Sequence, residues 1–266
     1  MAIKGLNKFM GKPIEGALEQ VLGNMNKPVS DSEPMQNFNS TPSKGINNPE
    51  KYLILPGASY GNYSYNDTLV SIDRKHHGKN WFDTHKALAS EDAYMLTIRQ
   101  FVDFLKLLKS GNVHDGTGKK LDSRRINDVL NEIIAVRDPV RAEWLDADFK
   151  VFKKKLIAKS DLMINYGHRL NSNGEIKPQY SEPLEDWLDK DRTPGINFDD
   201  WLNNANKHGL PSPKVGNGDL YYWSPDRDNN SVAWFCAVSG GALLGCSWDP
   251  SYSVRALGVR VAREKK

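Results

Sequence analysis

Residues 231–264 read SVAWFCAVSGGALLGCSWDPSYSVRALGVRVARE, and the fold turns on them. Three short apolar runs, SVAWF (231–235), ALLGCSW (242–248) and ALGVRVARE (256–264), are separated by Gly, Pro, Asp and Ser. Brief runs rich in β-branched and aromatic residues, bounded by turn-formers, predict strands. With DLYYWSP (219–225) they predict a loop-rich C-terminal third of short antiparallel strands, not βαβ units. If 235–247 is extended, alternate side chains point to opposite faces. One set is Ala237 and Ser239, then Leu244 and Cys246 after a phase change at Gly240-Gly241. The other is Cys236, Val238, Leu243, Gly245 and Ser247. Periodicity leaves both choices open over 235–239; over 242–247, Leu244 and Cys246 suit burial. The rings Tyr221, Tyr222, Trp223, Trp234, Phe235 and Trp248 suit core packing first, and the edge of a concave site second.

Two helices are expected upstream. In YMLTIRQFVDFLKLLKSG (94–111), Thr97 and Gln100 have capping-box spacing, and Ile98, Phe101, Val102, Phe104, Leu105 and Leu108 form an apolar stripe before Gly111. Over 122–136, Asp122 or Ser123 caps a helix that turns Ile126, Val129, Leu130, Ile133 and Ile134 inward. KYLIL (51–55), AEWLDADFKVF (142–152) and DLMINYGHRL (161–170) predict strands. SEPLEDWL (181–188) and NFDDWLNNANKHG (197–209) predict short helices with acidic first turns. Residues 1–25 suggest a weak amphipathic helix through Leu6, Phe9, Met10, Ile14, Leu18 and Val21. Residues 26–50, rich in Asn, Ser and Pro, read as a linker. The expectation is an N-terminal arm (1–50) and one α+β body (51–266).

The totals exclude more than they assert. The chain has 39% hydrophobic and 26% charged residues, with 36 basic against 33 acidic side chains for a net charge of +3. That excess argues against a nucleic-acid partner. The run Lys153-Lys154-Lys155 reads as a solvated strand edge or turn. No window approaches the roughly 18 apolar residues of a membrane span, and the N-terminal segment lacks a signal-type apolar core. The compartment stays open among virion, cell surface and cytoplasm. Two cysteines do not make a disulfide framework.

Local catalytic signatures are absent. His76, His77, His85 and His114 lack the spacing of a helical zinc site and read as loop histidines. HDGTGKK (114–120) and DRDNN (226–230) read as turns, not as a phosphate loop or a calcium loop. No catalytic residue, metal or cofactor is expected.

Two segments resemble a known family. NWFDTHKALASEDAYMLTIRQFVDFLK (80–106) is similar to formylglycine-generating-type proteins: Trp81-Phe82-Asp83 holds the place of the family's Trp-aromatic-Asp turn, and Leu96-Thr97 that of a helix cap. The chain end resembles the family's terminal pattern. Ser231-Val232-Ala233-Trp234 stands for a Gly-Gly-Ser-Trp-like turn, followed by Pro250 and then Gly258-Val259-Arg260-Val261-Ala262. The resemblance spans residues 51–266 and implies a C-type lectin fold of the formylglycine-generating-enzyme type. Oxidase members of that family hold copper with closely spaced cysteines, so the alternative it implies is a copper oxidase using Cys236 and Cys246. Nine residues separate these two, and the spacing does not match. The Glu-Pro-Asn and Gln-Pro-Asp triplets of calcium-dependent sugar binders are also missing.

The variable proteins of diversity-generating retroelements, particularly archaeal and viral ones, resemble this chain more closely. Their lectin-type frame carries a region rewritten at adenines by mutagenic reverse transcription. Rewriting an AAY codon excludes Trp, Met, Lys, Gln and Glu, and residues 235–247 contain none of these. The resemblance implies a non-enzymatic recognition protein with a variable region near 234–258. Its ligand-binding positions would be Cys236, Val238, Gly240, Gly241, Leu243, Gly245, Ser247, Trp248, Asp249, Tyr252, Val254, Arg255 and Ala256. Trp248 and Tyr252 would be the anchors. The partner would be a protein or surface ligand, with the arm 1–50 joining the module to a particle, membrane or partner.

Overall fold

A computed structural model describes residues 47–137, 140–151, 161–238 and 240–265, together with the short ladder that pairs Lys8–Phe9 with Lys12–Pro13. That ladder replaces helix at the centre of the 1–25 expectation, where Pro13 lacks the N–H a helix would use. The rest of 1–46 and the Lys153–Lys155 run lie outside the described residues.

The helices form where capping chemistry is local. α1 (Trp81–Ala89) starts at Asn80, whose Oδ1 accepts from the Asp83 N–H at 2.8 Å. α2 (Ile98–Ser110) carries the complete capping box. Thr97 Oγ1 accepts from Gln100 N–H at 3.2 Å, and Gln100 Oε1 accepts from Thr97 N–H at 3.1 Å. It ends at Gly111, whose φ of 69° is the left-handed stop expected of glycine. α3 (Ser123–Ile134) is capped by Asp122, and α4 (Phe198–Asn204) by Asn197. The segment SEPLEDWL is not helical. Tyr180–Pro183 is instead a strand, because tertiary pairing with 163–166 satisfies its backbone and overrides the acidic-start pattern.

Ten strands build the main sheet with the short segment Tyr94–Met95. They are β1 (Tyr52–Leu55), β2 (Thr68–Lys75), β3 (Arg141–Val151), β4 (Leu162–Tyr166), β5 (Tyr180–Pro183), β6 (Arg192–Ile196), β7 (Leu220–Trp223), β8 (Ser231–Val238), β9 (Gly241–Trp248) and β10 (Leu257–Glu264). Along the sheet the order is β6-β7-β9-β8-β3-β10-β2-β1, with β4 on β3 and β5 on β4. Most pairs are antiparallel, but β7 runs parallel to β9, and β10 parallel to β3. The last strand is thus inserted between β3 and β2, tying the end of the body to its beginning. The body also starts slightly before Lys51, since the Pro49 carbonyl accepts from the Gly116 N–H. The architecture is mixed α+β with a mostly sheet core. Among the described residues no helix is long and apolar enough to cross a membrane.

Both faces of the sheet are buried. On one face α2, α3 and α4 pack a large aliphatic cluster that includes Phe101, Leu105, Ile133, Phe235, Leu244 and Cys246. The other face is aromatic, with Trp81 and Leu88 of α1 joined to Trp144, Trp223, Trp234, Cys236, Val238, Leu243 and Trp248. The expectation that one alternating set of 236–247 faces outward is therefore corrected. Cys236, Val238 and Leu243 are each 1% exposed, and Gly240, Gly241, Gly245 and Trp248 are buried as well. Alternation reports which face a side chain takes, not whether that face is covered.

Two glycines are fixed by what surrounds them. A Cβ on Gly245 would lie 2.1 Å from Trp234 Nε1, so the indole occupies that space. Gly241 has φ +133°, a backbone that side chains rarely adopt.

Candidate functional site

Between β9 and β10 the chain leaves the buried sheet and forms an exposed rim. Asp249, Ser251, Ser253, Val254 and Arg255 are exposed; Ser247, Tyr252 and Ala256 are half-buried. The rim is held largely by its own main chain. Pro250 O accepts from Trp81 N–H at 3.0 Å, Asp249 O from Tyr252 N–H at 3.1 Å, and Val254 O from Leu257 N–H at 3.0 Å. Ala256 O accepts from the Ala142 N–H at 3.1 Å and from Arg74 Nη1 at 3.0 Å. One side chain also shapes the turn: Asp249 Oδ1 accepts from the Ser251 N–H and hydroxyl, which hold its carboxyl below the usual range. Tyr252 stacks edge-on to Trp248, with centroids 5.1 Å apart, and Trp248 packs on Trp234 at 3.8 Å. The rim is seated on the aromatic core through these rings.

Beside the rim, Arg255 and Ala256 border a cavity of about 320 Å³ with Asp73, Arg74, His77, Glu132 and Arg141. Arg141 pairs with Glu132 at 2.7 Å, and Arg74 with the same carboxylate at 3.3 Å. Burial opposes ionisation of Glu132, but Arg260 and Arg74 outweigh it and hold the carboxyl below its ordinary value. The wall is a built charge network with Arg255 at its mouth.

The two thiols do not form a shared site. Cys236 belongs to the aromatic cluster and Cys246 to the aliphatic one, on opposite faces of the sheet. Both are buried and reduced, and burial pushes both thiols well above their ordinary values. Thiols separated by a sheet cannot ligate one copper ion.

A second cavity, about 260 Å³, opens between residues 63–66, the segment 94–100 and the ends of β4 and β5. Tyr63, Tyr65, Tyr94, Tyr166 and Tyr180 line it with Arg169 and Asp146. The Arg169 guanidinium lies 4.5 Å from the Tyr94 ring centroid. Behind Asp146 sit two histidines. His168 Nδ1 is 2.5 Å from Asp146 Oδ1, and the His168 N–H donates to Oδ2 at 2.9 Å. His85 Nε2 stands 3.7 Å from the same Oδ1. All three residues are buried. Burial pushes His85 down to about 4, so it is neutral; burial also disfavours the charged forms of Asp146 and His168, but their mutual attraction dominates and makes them an ion pair.

In comparisons with known proteins, no family model, no curated protein and no solved structure matches the chain.

The structure places the expected positions Tyr252, Arg255 and Ala256 together on the rim, while the sequence reading missed the His85–Asp146–His168 cluster. His85 is a buried residue of α1, not a loop histidine, while Asp146 lies on β3 and His168 follows β4. No local spacing joins them. The available hint was His85 one helical turn after Trp81, on the face that carries Leu88 inward.

Proposed function

We propose that this protein is a non-enzymatic recognition module of the diversified lectin type, binding a protein or surface ligand through the rim 247–256. The observation that carries the reading is the way the rim is held. Its backbone is fixed mainly by main-chain hydrogen bonds and buried rings, while Ser253, Val254 and Arg255 project into solvent. Such a loop keeps its shape whatever those side chains are, as a surface under repeated rewriting requires. The early helices, the antiparallel strands and the loop-rich stretch before β8 support the lectin-type fold implied by the resemblance. The rim 249–256 also contains none of Trp, Met, Lys, Gln or Glu, the residues excluded by adenine replacement in AAY codons. The strand positions Cys236, Val238, Leu243 and Gly245 leave the set of binding residues, because they are packed.

Sequencing this gene across a natural population, with the DNA just downstream, tests the proposal. Expected is substitution concentrated in codons for exposed rim positions, matching adenines in a nearby near-copy and sparing Trp234, Gly245, Gly258 and Arg260. Even, mostly silent variation with no near-copy would overturn it.

A further inference from the structure

We infer that His85, Asp146 and His168 form a binding site for a divalent transition-metal ion of the Zn²⁺ class at the floor of the tyrosine-lined cavity. Three donors of suitable chemistry, from three separate elements, converge there. One donor atom from each of His85, Asp146 and His168 lies within 4.8 Å of the other two. A zinc-class ion sits about 2.0–2.2 Å from imidazole nitrogen and carboxylate oxygen, which sets ligand atoms roughly 3.4 Å apart in a tetrahedron. The separations from Asp146 Oδ1, 3.7 Å to His85 and 2.5 Å to His168, fall on either side of that spacing. Loss of the His168 Nδ1 proton to solvent and a small opening of the His168–Asp146 pair would free both donors for the ion, since a ligating imidazole must be neutral.

His85 supplies the second, independent observation. Its side chain is 3% exposed, and Nε2 has no hydrogen-bond partner although it points towards Asp146. A buried imidazole nitrogen left unpaired is destabilising, and native interiors rarely keep one without a reason. A metal ion at that point would coordinate its lone pair.

The surroundings orient the ligands as metal sites require. Trp81 packs edge-on against both imidazoles, with centroid distances of 4.2 Å to His85 and 4.8 Å to His168. Its own Nε1 is tied to Leu145 O at 3.1 Å. The Asp146 carboxylate is pinned by the His168 N–H. His168 Nε2 faces Asp148 Oδ1 at 4.0 Å, an outer carboxylate in the place where one commonly steadies a ligating histidine. Two imidazoles and one carboxylate favour zinc-class ions over Ca²⁺ and Mg²⁺, which prefer oxygen donors throughout. Asp146 also lines the cavity, on the side from which an exchangeable ligand would complete the pattern of three protein ligands and one other.

The test uses the full chain, stripped with EDTA and titrated first with Co²⁺ and then with Zn²⁺. Expected is one equivalent bound per chain, the visible absorption of four-coordinate Co²⁺, its displacement by Zn²⁺, and a rise in Tm. In His85→Gln, Zn²⁺ affinity falls by more than the roughly 10- to 100-fold typical of losing an outer partner. Should that variant fail to fold, histidine side-chain NMR of the wild-type chain decides. Zn²⁺ shifts the His85 and His168 resonances and leaves His76, His77, His114 and His208 in place. Absence of stoichiometric binding by the wild type, binding that survives His85→Gln, or shifts confined to the other histidines overturns the site.

Discussion

The strands β8 and β9 and the rim that follows them are neighbours in sequence and opposites in construction. In the strands, side chains hold the structure: Trp234 fills the space above Gly245, and each face packs into its own cluster. In the rim, backbone hydrogen bonds do most of the holding, and Ser253, Val254 and Arg255 are exposed. Residue identity is therefore tightly constrained over β8 and β9 and loosely constrained at Ser253, Val254 and Arg255. A surface that changes its chemistry without changing its shape belongs in the second region.

Four experiments bear on that contrast. The largest effect is expected for Trp234→Ala, which empties a fully buried site and should lower stability by about 3–5 kcal/mol in a denaturant titration. A loss comparable to a surface substitution would mean that the aromatic face is not a rigid frame. Gly245→Ala comes next, at about 1–3 kcal/mol, because its methyl must displace the Trp234 indole. Tolerance of alanine there would reopen Gly245 as a variable position.

Proton linkage gives a third, smaller signal. Burial first, and Lys207 second, push the His208 imidazole down to about 4, against the attraction of Glu182. The unfolded chain therefore binds more protons between about pH 4 and pH 6.5, and this residue makes stability fall as pH drops through that window. His208→Gln should flatten the dependence of Tm on pH there. A rim variant carrying Ser253→Asn, Val254→Thr and Arg255→Ser should keep the wild-type slope, since it alters no histidine. The same rim variant is the fourth test, for stability itself: each change should stay within about 0.5 kcal/mol. A cooperative loss of several kcal/mol would show that rim side chains, not its backbone, hold the loop.

What was legible in the sequence follows the range of the forces involved. The capping box at Thr97 and Gln100, the stop at Gly111, the cap at Asp122 and the inward stripes of α2 and α3 were readable because each depends on residues within one or two turns. The strand at 180–183 was not, because its pairing with 163–166 competes with local helix preference and is invisible in an eight-residue window.

The candidate sites divide along the same line. By itself the sequence determined the α+β class, the early helices and the strands of the C-terminal third, all of which rest on local backbone chemistry. Only the tertiary structure decided that both faces of β8 and β9 are covered, and that Cys236 and Cys246 look away from each other. It alone brought His85 and His168, 83 positions apart in the sequence, onto one carboxylate of β3. Burial and convergence depend on which distant segment packs against a surface, and strand periodicity carries no record of that choice.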